Sequence, residues 1–346
     1  MKQKRLQAYS CIAALSCGFV ACQNDDVGDP QDEAVHETKR YVAAELEKLV
    51  SASEAMQAAT PTPDDDGWNY ADDKAAVEKL RAAWGDARDA YEHIEGSIAV
   101  LFAGLDISTD ERYDGFIEGE ADDDLFDDEG VTGMHGIERI LWAGEHPKGV
   151  VEFEKALPGY KEAAFPETKA EASAFKTKLV KRLVDDVKDM RDQFKPLGLE
   201  PPTAFRGMIG SMNEQLEKVA AAASAEDESR YAQRTLDDMR ANLEGAEAVY
   251  EAFRPWVLEA SGADVDEKIE AGFASIRKAY AANKGAAIPA VPSGFDPDEP
   301  SADHLATPYG KLYELLTSET DIKEEDSLIS LMSSAADDMG INEIEE

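Results

Sequence analysis

Almost every long segment of this chain carries the periodicity of an amphipathic α-helix. Apolar residues recur three and four positions apart, Ala, Glu, Lys and Leu dominate, and clusters of β-branched residues are scarce. Segments of this kind bury their apolar stripes by packing helix against helix. We therefore predict an all-α fold for most of the 346 residues.

Proline and glycine interrupt the helical pattern and divide the chain into two halves. The densest interruption holds Pro196, Gly198, Pro201 and Pro202. The pattern predicts helices at 32–58, 73–102, a short stretch through His135 that ends near Gly144, 167–194, 203–223, 227–258, 264–283, 303–318 and 323–337. Each half has the size of a four-helix bundle. We predict two such bundles in tandem, over residues 37–197 and 198–346.

The N-terminus has the profile of a bacterial export signal. Basic residues at positions 2, 4 and 5 precede an apolar run at 8–21, which is too short to span a bilayer stably. The run ends Phe19-Val20-Ala21-Cys22, which is similar to a lipoprotein cleavage signal. We predict a signal peptide at 1–21, a lipid on Cys22 and a polar tether at 22–36. An ordinary secretory signal cut nearby is the alternative.

The net charge and the positions of the cysteines limit which partners this chain can bind and which chemistry it can carry out. The net charge of −38 makes nucleic acid and anionic membrane surfaces poor partners, and cations good ones. A lipid on Cys22 would instead hold the protein at the periplasmic side of the inner or outer membrane. All three cysteines lie at or before position 22, so the mature chain would form no disulfide, thiolate metal site or cysteine nucleophile.

A His-x-x-Glu motif offers half of a metal site. It occurs in Gly133-Met134-His135-Gly136-Ile137-Glu138, within a predicted helix. Residues three apart on a helix share one face, so His135 places an imidazole beside the carboxylate of Glu138.

Two further segments offer carboxylates at helical spacing. Glu92 and Glu95 are three positions apart, and Asp110 and Asp114 are four apart. With His135, these segments make a ligand set that is mostly hard oxygen, as in di-metal helical bundles. Such a set favours iron, also suits manganese or calcium, and admits zinc. Iron is the first choice.

Each pattern also fits a role without metal. Glu92 and Glu95 are equally consistent with a solvated helix face, with Arg88 as a salt-bridge partner one turn before Glu92. Residues 118–129 contain eight acids in twelve positions but lack the EF-hand spacing. They fit either a charged surface loop or a funnel that attracts cations towards the helix of His135.

Taken together, the motifs resemble the imelysin-like family, and within it the EfeO-type branch of periplasmic iron-uptake components. The resemblance covers roughly residues 37–340. The motifs that carry it are Trp84-x-x-x-Arg88-x-x-Tyr91-Glu92-x-Ile94-Glu95, Asp110-x-Arg112-x-Asp114 and Gly133-x-His135-x-x-Glu138. In the second half, Asn242 and Gly245 match an Asn-x-x-Gly signature of the family.

The resemblance implies a pair of four-helix bundles with a metal site at the His-x-x-Glu motif. His135 and Glu138 carry over as ligands. Four carboxylates are candidates to complete the site: Glu92, Glu95, Asp110 and Asp114. Arg88 and Arg112 would orient carboxylates, and Asn242 and Gly245 are assigned structural roles. The cupredoxin domain of some EfeO-type proteins has no counterpart here, because no Cys–His–Met constellation or β pattern precedes residue 80.

The leading functional hypothesis is a lipid-anchored periplasmic protein that captures iron for an uptake system. Its partners would be an iron permease and a periplasmic peroxidase. The alternative is an imelysin-type metallopeptidase, in which metal-bound water attacks a peptide carbonyl. That chemistry needs a general base near an open coordination position. A third hypothesis is a structural lipoprotein whose acids are all solvated, which predicts that His135 is exposed and far from Glu92.

Overall fold

A computed structural model describes residues 29–117 and 121–341. The predicted signal peptide and Cys22 lie outside these ranges. The described residues form helices, turns and loops without a β-strand, which confirms the predicted all-α fold. Within the same ranges, no helix combines the length and the apolar character that crossing a bilayer requires.

The first half contains nine helices among the described residues. They are α1 Pro30–Ala59, α2 Tyr70–Glu92, α3 Glu95–Leu101, α4 Ala103–Asp110, α5 Tyr113–Phe116, α6 Gly133–Leu141, α7 Lys148–Glu154, α8 Lys169–Ala174 and α9 Val180–Phe194. A π-helical turn, Phe175–Leu179, joins α8 to α9. The last seven positions of the predicted tether, 30–36, belong to α1, whose first turn is capped by Asp29 and started by Pro30.

The second half begins after Leu199. Its helices are α10 Pro201–Ala221, α11 Thr235–Ala260, α12 Ala263–Ala282, α13 Ala302–Leu305, α14 Pro308–Thr320 and α15 Leu328–Asp338. The sequence places a capping side chain at several of these starts, for example Thr307 before α14 and Ser327 before α15.

Two apolar cores hold these helices together. One core is built by residues between Val42 and Phe194, where α1, α2 and α9 pack with α4 and α6. The other is built by Ala34 and residues between Leu199 and Ile341, where α10, α11 and α12 pack with α14 and α15. The two helical bundles lie side by side, with α1 and α3 of the first against α10 and α11 of the second.

Glycines bring the two bundles into backbone contact. A Cβ atom on Gly207 in α10 would overlap the carbonyl oxygen of Gly96 in α3, and a Cβ on Gly96 would overlap that of Gly207. A Cβ on Gly245 in α11 would overlap the carbonyl oxygen of His93. Only glycine permits such close approach. These contacts lie beside Glu92 and Glu95, so they set how near the second bundle comes to these carboxylates.

Several predicted helices differ from the observed ones. The helix expected at 303–318 is divided into α13 and α14, and α15 begins later than the expected position 323. The helix expected at 73–102 breaks at His93 and Ile94, so Glu92 ends α2 and Glu95 begins α3. The helix expected to begin at 227 begins at Thr235. The preceding residues form a loop, 225–234, bounded by Ala225 and Gln233 in left-handed conformations with φ of 64° and 54°. This loop crosses from the second bundle onto the first.

Candidate metal centre

Four carboxylates and one imidazole converge between the two bundles. One oxygen from each of Glu92, Glu95, Asp110 and Glu228 lies within 4.8 Å of the others. A nitrogen of His135 forms a second group of this kind with Asp110 and Glu228. The first bundle supplies four of these side chains, whereas Glu228 comes from loop 225–234.

The position of His135 follows from how α6 is packed. Gly133 has a φ of 74°, and a Cβ there would overlap the carbonyl oxygen of Thr109 at the end of α4. The indole of Trp84 on α2 donates a 2.9 Å hydrogen bond to the carbonyl of Met134. All nine residues of α6 are buried. These contacts bring Nε2 of His135 to 3.4 Å from Oδ1 of Asp110.

Glu138 orients the imidazole of His135. Its Oε2 lies 2.8 Å from Nδ1 of His135. Its Oε1 accepts hydrogen bonds from the backbone N–H groups of Tyr231, at 3.0 Å, and Ala232, at 2.7 Å. Both oxygens are therefore engaged. A carboxylate on one ring nitrogen directs the other nitrogen outward, as in metal-binding histidines. In His135 that nitrogen is Nε2, which is buried and makes no hydrogen bond to the described residues.

Arg88 is the first of two buried cations among these acids. Its guanidinium pairs with Glu92 and with Asp110. It also lies 2.8 Å from Oε1 of Glu228 and 3.6 Å from Oδ2 of Asp238. The side chain is fully buried, so four acids surround it. The predicted pairing of Arg88 with Glu92 is present, but as one part of a larger cluster.

Lys218 of α10 is the second buried cation. Its ammonium lies 3.2 Å from Oε2 of Glu92, 2.9 Å from Oε2 of Glu95 and 2.8 Å from Oε2 of Glu228. It also donates a 3.0 Å hydrogen bond to Oδ1 of Asn242. We call Glu92, Glu95, Asp110, Glu228, Arg88 and Lys218 the acid-rich cluster, because four acids face two bases.

Asn242 ties the acid-rich cluster to the second bundle. Its amide donates to Oε2 of Glu92, at 2.6 Å, and to Oε2 of Glu95, at 2.9 Å. Gln215 donates to Oδ1 of Asn242 at 3.0 Å and accepts from the hydroxyl of Tyr280 at 2.8 Å. Asn242 therefore positions two carboxylates.

Burial and nearby charge set the protonation of the cluster. Burial raises the pKa of Glu92 well above its ordinary value and also raises the pKa of Glu95. Burial acts the same way on Glu228, but Lys218 and Arg88 outweigh it and hold the pKa of Glu228 below its ordinary value. For His135, burial and Arg88 lower the pKa, whereas the carboxylates of Asp110 and Glu138 raise it to about 9.

A cleft of about 440 Å³ leads from the surface to this cluster. Its inner wall includes Glu95, Asp110, Lys218 and Glu228. Further acids line it nearer the surface, namely Asp106, Glu111, Glu214, Glu217 and Glu226. Burial raises the pKa of Glu214 to about 8 and that of Asp106 to about 6, although the Tyr91 hydroxyl donates to Asp106. Such a lining attracts cations towards the cluster.

Three sequence-derived candidates lie away from this group of ligand atoms. Asp114 pairs with Arg230 of loop 225–234 and lies 3.7 Å from Arg112. Arg112 itself donates to the backbone carbonyl of Glu226 at 2.8 Å, on the wall of the cleft. The described part of the acidic run, 121–129, contributes no residue to the cleft wall. Within that run, Asp122 accepts from the backbone N–H of Asp124 and of Val131, each at 3.1 Å.

Sequence reasoning missed two charged members of the cluster. Glu228 lies in a segment that was predicted to be helical, where it resembles any solvated acid. Lys218 lies in the helical stretch Glu-Gln-Leu-Glu-Lys, whose spacing suits a surface salt bridge. No sequence signal distinguishes either residue. Asn242 and Gly245 were singled out by the family signature, and both lie against the first bundle.

The donor set matches a hard or borderline metal ion. Carboxylate oxygens with one imidazole suit iron and manganese, whereas copper(I) prefers sulfur. Nε2 of His135 is buried, makes no hydrogen bond to the described residues and lies 3.4 Å from Asp110, so a metal ion that displaced its proton could take both side chains as ligands. The residues therefore fit the metal that the resemblance implies.

The family model described as Peptidase M75, Imelysin, matches residues 34–318. The chain belongs to the imelysin family. This imelysin is 28% identical to the iron uptake system component EfeO of Escherichia coli K12 over 243 residues, which are 70% of this chain and 52% of that protein. The EfeO protein of Shigella flexneri matches to the same extent. The chain thus spans about half the length of the curated relatives it matches.

A solved structure shares the fold of this imelysin. It is an imelysin-like protein from Psychrobacter arcticum 273-4, with a TM-score of 0.54 and 13% sequence identity. The match covers 89% of this chain and 97% of that one. At this identity the likeness establishes the arrangement of helices and nothing about the site.

Proposed function

We propose that this imelysin binds iron between its two bundles and delivers it to an uptake system. The direct ligands in this proposal are Glu92, Glu95, Asp110, His135 and Glu228. One observation carries it: the buried Nε2 of His135 has no hydrogen-bond partner among the described residues and faces a cluster in which carboxylates outnumber bases. A buried excess of negative charge is costly unless a cation compensates it.

The other predicted site residues take supporting roles in this proposal. Glu138 holds the ring of His135, because its two oxygens bind Nδ1 and the backbone of loop 225–234. Arg88 fixes the carboxylates of Glu92 and Asp110. Asp114, paired with Arg230, holds loop 225–234 against the first bundle, and Arg112 lines the approach. A metal role for Glu138 and Asp114 stays a prediction.

The choice of iron is supported by chemistry and by the relatives. Ferrous and ferric ions both accept carboxylate and imidazole ligands. Relatives with 28% identity are components of an iron uptake system. We propose the same cargo here, with an iron permease and a periplasmic peroxidase as partners. In this proposal the lipid on Cys22 keeps the protein at the periplasmic face of a membrane. Manganese, zinc and calcium are the competing cargoes.

Metal analysis of the purified protein tests the proposal. Fe²⁺ under anaerobic conditions, ferric citrate, Mn²⁺, Zn²⁺ and Ca²⁺ are each titrated against wild type, His135→Ala and Glu228→Gln. We expect stoichiometric iron in wild type and a loss of at least about tenfold in affinity in both variants. His36→Ala is the comparison, because His36 is 71% exposed and forms with Glu33 and Glu37 a surface group that could also bind metal; we expect it to leave iron affinity unchanged.

The same preparations distinguish the competing functions. Cleavage of peptide substrates that disappears in His135→Ala would favour the metallopeptidase. Tight binding of another cation with weak iron binding would change the cargo. Absence of stoichiometric metal from wild type would leave a structural role alone.

A further inference from the structure

The ammonium of Lys218 has the surroundings of a coordinated cation. Four oxygen atoms lie within 3.2 Å of it, from Glu92, Glu95, Glu228 and Asn242. Three are carboxylate oxygens of proposed iron ligands. An ammonium group has only three N–H bonds, so four oxygens exceed the number of hydrogen bonds that it can donate. The oxygens surround the ammonium as ligands surround a metal ion.

We propose that Lys218 is a built-in competitor for the iron, which the incoming ion must displace from these carboxylates. The inference rests on the proposed function, because it assigns a role to Lys218 in the same site. Its consequence is that the protein's own ammonium sets the affinity and assists release, since it returns to the carboxylates as the metal leaves.

Simple geometry supports displacement over coexistence. A metal ion bound by carboxylates sits at about 2.0–2.2 Å from their oxygens. Lys218 contacts one oxygen of each of three glutamates at 2.8–3.2 Å. An ion and an ammonium that share these oxygens would lie within a few ångströms of each other. Their like charges would then repel in a site that water screens poorly.

The side chain of Lys218 can move from the carboxylates into the cleft. The side chain forms part of the cleft wall and is 8% exposed. Glu214 and Glu217, one turn and one position before it on α10, line the same cleft nearer the surface. The flexible stem of lysine lets the ammonium swing towards Glu214, which shares its helix face, without movement of the helix.

Arg88 lacks the freedom that Lys218 has. It is fully buried, contacts four acids through a planar guanidinium and forms no part of the cleft wall. We therefore assign displacement to Lys218 alone, and a fixed structural charge to Arg88.

The first test compares wild type with Lys218→Met. We expect the variant to bind Fe²⁺ at least about tenfold more tightly in anaerobic titrations, because no ammonium occupies the carboxylates. Without metal its melting temperature should fall, and saturating Fe²⁺ should raise it by more than in wild type. Lys181→Met is the matched control, since that lysine is 53% exposed on α9 and pairs with Asp185.

A second variant and a second readout keep the proposal open to refutation. Lys218→Gln retains hydrogen-bond donors and replaces Lys218→Met if the latter does not fold. In wild type, acetic anhydride labelling followed by mass spectrometry should show Lys218 more reactive with Fe²⁺ than without it. Lys181 should show equal labelling in both conditions.

The outcomes separate the two proposals. Fe²⁺ binding by the variant that is equal to or weaker than that of wild type would reject the competitor role of Lys218. Labelling of Lys218 that does not change on loading would also reject it. Absence of any Fe²⁺ binding in both proteins would instead reject the proposed function.

Discussion

Two of the buried charged clusters among the described residues differ in the ratio of acids to bases. In the acid-rich cluster, four acids face two bases beside an open cleft. In the second, which we call the paired cluster, Arg139 meets Glu154 at 3.2 Å and stacks 3.7 Å from the ring centroid of Tyr113, while the Tyr231 hydroxyl donates to Glu154. Arg139 and Glu154 are 2% and 1% exposed.

The ratio of acids to bases distinguishes a buried structural ion pair from a candidate ligand site. One acid and one base that satisfy each other complete a tertiary contact between α6 and α7, and offer nothing to a ligand. In the acid-rich cluster the acids outnumber the bases, so several carboxylates share each base and could gain a further cation as a partner. Such an excess marks a place for a cation.

Substitution of Arg139 in the paired cluster should lower stability more than any other single change considered. Arg139→Met should lower the free energy of unfolding by about 3–5 kcal/mol, because Glu154 is left buried without its cation. Urea denaturation measures this change. The double variant Arg139→Met/Glu154→Gln should recover much of the loss. A fall in iron affinity beyond what the unfolded fraction explains would show that the two clusters act as one.

A substitution in the acid-rich cluster should have a smaller effect, and it should weaken iron binding rather than stability. Glu95→Gln should weaken iron binding by at least about tenfold, or about 1.4 kcal/mol, by removing a carboxylate ligand. Stability at neutral pH should hold or rise, since burial raises the pKa of Glu95 and its charge opposes folding. Isothermal titration and urea denaturation measure the two quantities. Glu217→Gln, at the exposed rim of the cleft, is the control; equal losses in both variants would contradict a ligand role.

The acid excess should also be visible in the dependence of stability on pH. Asp106 titrates at about 6 in the folded protein, against an ordinary value of 3.8. The folded state therefore binds more protons between these values, and stability from this group is lost as pH rises through about 6. Asp106→Asn keeps an acceptor for Tyr91 and should remove this loss.

The expected gain for Asp106→Asn above about pH 7 is on the order of 2 kcal/mol relative to wild type. Below about pH 3 the two proteins should differ little, because Asp106 is mostly protonated in both folded and unfolded states. Thermal unfolding across this pH range measures the difference. A gain that is constant with pH would show that the charge of Asp106 is not its cause.

The smallest effect is expected in the acidic run. Asp123 and Glu129 are exposed, and neither lines the cleft. The double variant Asp123→Asn/Glu129→Gln should change the free energy of unfolding by less than about 0.5 kcal/mol and leave iron affinity unchanged. Stopped-flow measurement of the rate of iron association decides between the surface loop and the cation funnel. Slower association at low salt would support the funnel.

The helices were predictable because periodicity and capping agree along most of the chain. The short helix through His135 lies at Gly133–Leu141, as the motif and the stop near Gly144 predicted. The break at His93 and Ile94 was not predictable, because neither residue disfavours a helix strongly enough to end one. It arises where the carbonyl of His93 meets Gly245 of the second bundle, which is a tertiary contact.

The part of the candidate site that lies in the first bundle could be predicted from the sequence, whereas the part in the second bundle could not. Glu92, Glu95, Asp110 and His135 belong to motifs with readable spacing, and the structure brings their side chains together. Glu228 joins them only because loop 225–234 turns across the first bundle. Ala225 and Gln233, which adopt left-handed conformations, make these turns. The local sequence does not predict those turns, because neither position is a glycine.

The backbone contact between Gly96 and Gly207 limits which substitutions this protein tolerates. A methyl group at either position would wedge α3 away from α10, and Glu95, the neighbour of Gly96, would recede from its partners across the seam. The absence of a side chain at these two glycines thus sets the distance between Glu95 and the second bundle. Mutational scanning should find that these two glycines tolerate substitution as poorly as the proposed ligands.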